Sequence, residues 1–188
     1  MRNKYLSFHE LVESLDSSSI LYNDLLKTVE WQKRRESIVG RDNNKCTRCG
    51  KGPTIRHFRD HLWIEAEEWI ESGYQKDLGA LFEPKGLKMI ASDKPYYLHV
   101  HHKYYIVNRL PWEYDDEALT TLCNWCHWEL HENEEIEIFL DDGITKTEFT
   151  PCSRCNGAGW FPEYSHVEEG ICFKCRGSMY EELLIKIK

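Results

Sequence analysis

Four C-x-x-C pairs, helical periodicity near the N-terminus and strand-like runs through the middle predict an α+β fold whose small modules are stapled by metal. The pairs are Cys46/Cys49, Cys123/Cys126, Cys152/Cys155 and Cys172/Cys175, with no cysteine left over. Two intervening residues let both sulfurs of a tight knuckle reach one ion, and two knuckles complete a tetrahedral Zn²⁺ site. Four knuckles therefore imply two structural zinc ions. The competing reading, a disulfide framework, needs an oxidising compartment. The N-terminus, MRNKYLSFHELVESLDSSS, shows no apolar core of signal-peptide type, and no apolar run is long enough to span a membrane. A cytoplasmic, reducing setting is the expectation.

The elements follow in order. Ser7 and Glu10 form a capping box ahead of Phe8, Leu11, Val12 and Leu15 at helical spacing, and the cluster at residues 16–19 ends that helix. A second helix is expected to carry Leu21, Leu25, Leu26 and Val29 and to run on to about Gly40. Residues 60–72, DHLWIEAEEWIES, have the periodicity of an amphipathic helix. YYLHVHH (96–102) reads as a strand that YYIV (104–107) continues or returns. The second knuckle, LCNWC, opens a short helix to about Glu132. Asp142-Gly143 between two β-type runs signals a hairpin. The closing EELLIKIK fits helix or strand equally.

A hydrophobic content of 41% and 13% aromatics exclude global disorder. The net charge of −8 hides an asymmetry. Residues 27–59 hold ten Lys/Arg against Glu30, Glu36 and Asp42, a local excess of seven positive charges. Such a patch can contact phosphates while the acidic remainder limits non-specific binding. A solvated helix face is the alternative.

Between Trp31 and Asn133 the chain resembles the HNH (His-Asn-His) endonuclease family. A Trp/Arg-containing helix is followed by Arg41-Asp42-Asn43-Asn44-Lys45-Cys46-Thr47-Arg48-Cys49-Gly50. Next comes the run from Leu98 to Lys103 with His101 and His102, and then Leu119, Leu122, Cys123, Cys126 and His127 in the order L-x-x-L-C-x-x-C-H. The resemblance implies a zinc-stapled ββα-metal core in which Cys46, Cys49, Cys123 and Cys126 share one zinc. It implies His102 as general base, with His101 and His127 holding a catalytic divalent metal (Mg²⁺, Mn²⁺, Ni²⁺ or Zn²⁺). His131, four residues after His127 on the same helix face, is placed as an auxiliary ligand or phosphate contact. The chemistry is coherent, since phosphodiester hydrolysis needs a deprotonated water and a cation with open positions. Four thiolates leave none, so the cysteines are read as scaffold and the histidines as reactive. The family's central Asn falls here at Ala118.

The last four cysteines, C-x₂-C, sixteen residues, C-x₂-C, have the spacing of a second zinc site. Cys152–Gly159 resembles the CxxCxGxG knuckle of the DnaJ cysteine-rich domain, with Gly157 and Gly159 in the glycine places. The expected organisation is an N-terminal helical segment (1–40), an HNH-like domain (41–133) with an insertion at about 54–90, a hairpin connector (134–150) and a zinc module (151–188). The expected function is metal-dependent hydrolysis of DNA, most plainly duplex DNA, with Lys33, Arg34, Arg35 and Arg41 as phosphate contacts. The alternative is a zinc-dependent nucleic-acid-binding or adaptor protein without activity.

Overall fold

Ser7 Oγ accepts the Glu10 N–H and the Glu10 carboxylate accepts the Ser7 N–H, a reciprocal cap that starts α1 (Phe8–Ser14). The computed structural model describes residues 5–15, 20–56, 63–70, 73–75, 80–82 and 85–187. The expected helix break at 16–19 lies outside them.

The long second helix of the sequence reading is two helices, α2 (Tyr22–Leu25) and α3 (Val29–Arg41). Thr28 separates them. Its buried hydroxyl donates to the Leu25 carbonyl at 2.8 Å and accepts the Trp31 N–H at 3.3 Å. One side chain thus satisfies a terminal carbonyl of α2 and a free N–H of α3, so the chain can restart its helix in a new direction. The restart turns Trp31, Ile38 and Val39 of α3 inward.

The described residues between 55 and 91 are strands. Strands β1 (Ile55–Arg56), β2 (Trp63–Ile70) and β5 (Lys85–Ala91) make one antiparallel sheet in the order β1-β2-β5, and β3 (Gly73–Gln75) pairs with β4 (Ala80–Phe82). The helix expected at 60–72 is therefore a strand over 63–70; residues 60–62 and 71–72 lie outside the described set. The reason is tertiary. Trp63, Ile64, Trp69 and Ile70 suit a pleated surface as well as a helical stripe, and β5 offers a partner along all seven positions from Ile64↔Ala91 to Ile70↔Lys85.

The centre of the fold is a strand pair followed directly by a helix. β6 (Leu98–His102) runs antiparallel to β8 (Leu119–Cys123), with Leu98 opposite Cys123 and His102 opposite Leu119. α4 (Asn124–Asn133) begins at the next residue. Successive side chains of β6 point to opposite faces: His102 stacks on Trp31 of α3, whereas His101 meets His127 and His131 of α4. β7 (Tyr104–Ile106) neither continues nor returns β6. After Lys103 it joins another sheet, parallel to β9 (Glu137–Phe139), which pairs with β10 (Lys146–Thr147) across the expected hairpin. At that turn Asp142 accepts the Ile144 and Thr145 N–H groups, both at 2.8 Å, and Gly143 supplies a φ of +69°.

The C-terminal segment holds two short 3₁₀ turns, Pro162–Tyr164 and Glu168–Gly170, and residues 181–187 are neither helix nor strand. Leu184 and Ile185 are nevertheless buried. They share a core with Leu11, Tyr22 and Leu25 of the N-terminal helices and with Tyr105, Ile138 and Tyr180. Among the described residues no helix is long and apolar enough to cross a membrane.

Thr28→Ala removes both hydroxyl bonds from a fully buried position, and the unfolding free energy in urea is expected to drop by about 1–2 kcal/mol. Thr28→Ser, which keeps the hydroxyl, should recover most of the loss. Equal losses in the two variants would show that the methyl group, and not the cap, matters.

Candidate metal centre

Cys123 ends β8 and caps α4, its sulfur accepting the Cys126 N–H at 3.4 Å. That geometry points Cys123 and Cys126 toward the first knuckle, where the Cys49 and Cys123 sulfurs lie 3.7 Å apart. In the second cluster Cys152 and Cys172 are 3.9 Å apart, and Cys155 and Cys175 are 3.7 Å apart. In each set the four sulfurs lie within 4.8 Å of one another. A Zn–S bond of about 2.3 Å puts tetrahedral sulfurs about 3.8 Å apart, whereas a disulfide needs about 2.05 Å. All eight cysteines are free thiols, so the spacing fits a cation and excludes a bridge. Burial pushes the Cys123 thiol up to about 11. Four thiolates so close together are stable only around a cation. Gly159 adds support by donating its N–H to the Cys155 sulfur at 3.3 Å.

A third cluster is made of imidazoles. His101 comes from β6, and His127 and His131, one helical turn apart, come from α4; their ligand nitrogens also lie within 4.8 Å of one another. The Nε2 atoms of His127 and His131 are 3.2 Å apart. Two nitrogens on one tetrahedral ion would be about 3.3 Å apart. Exposure is 2% for His101, 8% for His127 and 3% for His131. Burial pushes His101 down to about 3 and His131 down to about 4, and burial and its histidine neighbours hold His127 well below the usual imidazole range. All three rings are therefore neutral, the ligand form, at neutral pH. Nδ1 of His101 is buried with no hydrogen-bond partner, which is what a donor set lacking its cation shows. The residues fit a divalent metal held by three nitrogens.

The structure unites His101, His127 and His131 and sets His102 apart. His102 is 3% exposed, its Nε2 lies 3.0 Å from the Pro111 carbonyl, and its ring is enclosed by Trp31, Tyr22, Tyr105 and Tyr114. Strand alternation explains the separation, since neighbours on β6 cannot share a face. Three of the four cations expected at phosphate are also engaged elsewhere. Arg34 binds the Tyr114 carbonyl and the Asp116 carboxylate, Arg35 donates to the Leu98 carbonyl at 2.7 Å, and Arg41 bonds the carbonyls of Asp116 and Leu119. They tie α3 to the β6–β8 pair. Lys33 is exposed. Ala118 is 2% exposed and packs with Ile38, Tyr114 and Leu119.

No family model, curated protein or solved structure matches this chain. The likeness to HNH enzymes therefore stands on the residues quoted for it. Three further residues of the site were given no role in it from the sequence. His99 shares the His101 face of β6, and the period-two rule alone would have placed it there. Asn124, fully buried, accepts the Tyr97 N–H and donates to the Pro95 carbonyl, which fixes the start of β6 against α4. Trp160 of the C-terminal module stacks on His99 with ring centres 4.3 Å apart and donates to His127 Nδ1 at 3.1 Å. No sequence signal pairs a tryptophan with a histidine so far along the chain.

Native mass spectrometry of the purified chain is expected to show two tightly held zinc ions. Cys126→Ser should remove one, Cys175→Ser the other, and each variant should keep the zinc of the unaltered cluster. Loss of both ions from either single variant would contradict two independent four-thiol sites.

Proposed function

We propose that the chain is a divalent-metal-dependent phosphodiester hydrolase of HNH type acting on DNA, with His101, His127 and His131 holding the cation. The observation that carries this reading is the convergence of three neutral, buried imidazoles from a strand and the helix that follows its partner strand, beside a four-thiol cluster that closes the strand–helix junction. The arrangement supports the ββα-metal core implied by the sequence resemblance. A cation held by three nitrogens keeps open positions, where it supplies charge neutralisation at a phosphate oxygen and a more acidic water.

The remaining work falls to the chain. A cavity of about 470 Å³ opens beside His101, lined by Arg48, Lys103, Thr47 and Thr120 together with Glu134 and Glu135. Arg48 and Lys103 replace the arginines of α3 as the cations that receive a phosphate. Arg48 is poised to exchange partners, because its contacts to Glu129 and Glu134 are long, at 3.9 and 4.0 Å, and exposed. His102, turned into the aromatic box, positions β6 through Pro111 in this reading and does not serve as the base.

Two observations favour a second reading, a metal-dependent nucleic-acid-binding protein without activity. The three rings are almost fully covered, and the place of the family's Asn is an apolar core position.

Plasmid nicking by zinc-loaded protein with added Mg²⁺, Mn²⁺ or Ni²⁺ tests both. The expected result is metal-dependent nicking that falls at least about a hundredfold in His127→Ala and about tenfold in Lys103→Ala. His102→Gln, which can still donate to Pro111, should retain nicking within about tenfold. A loss in His102→Gln as deep as in His127→Ala would restore His102 as the base. DNA binding without nicking under every metal would select the second reading.

A further inference from the structure

The C-terminal zinc module does not stand apart from the histidine centre. The second four-cysteine cluster grips the segment on both sides of Trp160. Gly159 N–H donates to the Cys155 sulfur, Cys172 N–H bonds the Gly159 carbonyl at 2.8 Å, and Phe161 N–H bonds the Gly170 carbonyl at 2.7 Å. Trp160 is thus held between the two knuckles and paired with Ile171. Its ring lies over His99, and its indole N–H points at Nδ1 of His127. The same module reaches the third ligand, because the Asn156 side-chain amide donates to the His131 carbonyl at 2.6 Å.

The direction of the Trp160 bond has a consequence for metal binding. An indole N–H can only donate, so His127 Nδ1 must be the acceptor. In a neutral imidazole the proton then sits on Nε2. That nitrogen faces Nε2 of His131 at 3.2 Å and donates to it, giving the chain Trp160 → His127 → His131. A cation that takes His127 through Nε2 needs the opposite tautomer, with the proton on Nδ1. There it would confront the Trp160 N–H, donor against donor. The hydrogen-bonded chain and a metal-bound His127 exclude each other.

Resting on the three-histidine metal centre proposed above, we propose that Trp160, held by the C-terminal zinc module, is a positioning residue that latches His127 in the metal-free tautomer, so that loading of the centre requires the indole N–H to withdraw. The second zinc site then governs access to the first-row cation at the histidines. By linkage, a loaded centre loosens the grip of the module on His127 by the same factor.

The test is a calorimetric titration of Ni²⁺ into the zinc-loaded full chain, compared with Trp160→Phe and His131→Ala. Phenylalanine keeps an aromatic ring over His99 and removes the N–H. Trp160→Phe is expected to bind Ni²⁺ about five- to tenfold more tightly, the value of one hydrogen bond no longer opposing the ion. Loss of packing alone would weaken binding, so an unchanged or lower affinity, with binding still abolished in His131→Ala, would overturn the latch and leave the metal centre standing. Absence of Ni²⁺ binding in wild type and Trp160→Phe alike, or equal binding in His131→Ala, would remove the metal centre and the latch with it. A second measurement needs no variant. In ¹⁵N-tryptophan-labelled wild type, with Cd²⁺ as the added ion, the Trp160 indole resonance, assigned through its contacts to His99, should shift upfield and exchange faster with water. A resonance unmoved at saturating Cd²⁺ would contradict the proposal.

Discussion

Cys123 is at once the last residue of β8, the N-cap of α4 and a member of the first four-thiol cluster. A cation bound there would fix the angle between strand and helix, and that angle decides where His127 and His131 stand. Asn124, the next residue, secures the other side by holding Pro95 and Tyr97 at the mouth of β6. With a cation at the thiols, the distance from His101 to the helix histidines would be set by one metal–sulfur junction and one buried amide. The nearby buried residues Val39, Tyr96, Leu98 and Leu122 pack around the cysteines themselves.

β6 carries the division of labour. One face presents His99 and His101 to α4 and to Trp160, and the other presents Val100 and His102 to α3. The first is a polar face that needs a cation or a hydrogen-bond chain to complete it. The second is a packing face, where burial pushes His102 down to about 4 and keeps it neutral. The arginines of α3 belong to the packing side as well, bonding carbonyls of β6, β8 and the loop between them. Three of the four basic residues expected at phosphate thus clamp α3 to the strand pair.

What was legible in the sequence was whatever chemistry enforces locally. The cysteine knuckles, the Ser7–Glu10 box, the Asp142-Gly143 turn and the i, i+4 pair His127/His131 all depend on residues close together in the chain. The errors arose where a distant partner decided the outcome. Residues 63–70 have a helical stripe but take the strand offered by residues 85–91. Tyr104–Ile106 leaves β6 for β9, and Thr28 breaks a helix that periodicity alone would have continued. Motif position places His102 beside His101 in the chain, and the period of the strand sets its ring on the α3 face. The place of Trp160 left no local signal, because its meeting with His127 depends on how the C-terminal module folds back.

The imidazoles of His101, His127 and His131 are proposed as a metal centre separate from the eight cysteines. Nickel K-edge X-ray absorption of the zinc-loaded protein with one added equivalent of Ni²⁺ reads that centre directly. Nickel at that centre should show a first shell of nitrogen and oxygen with the multiple scattering of three imidazoles and no sulfur. A nickel shell containing sulfur, or one without imidazole scattering, would contradict it.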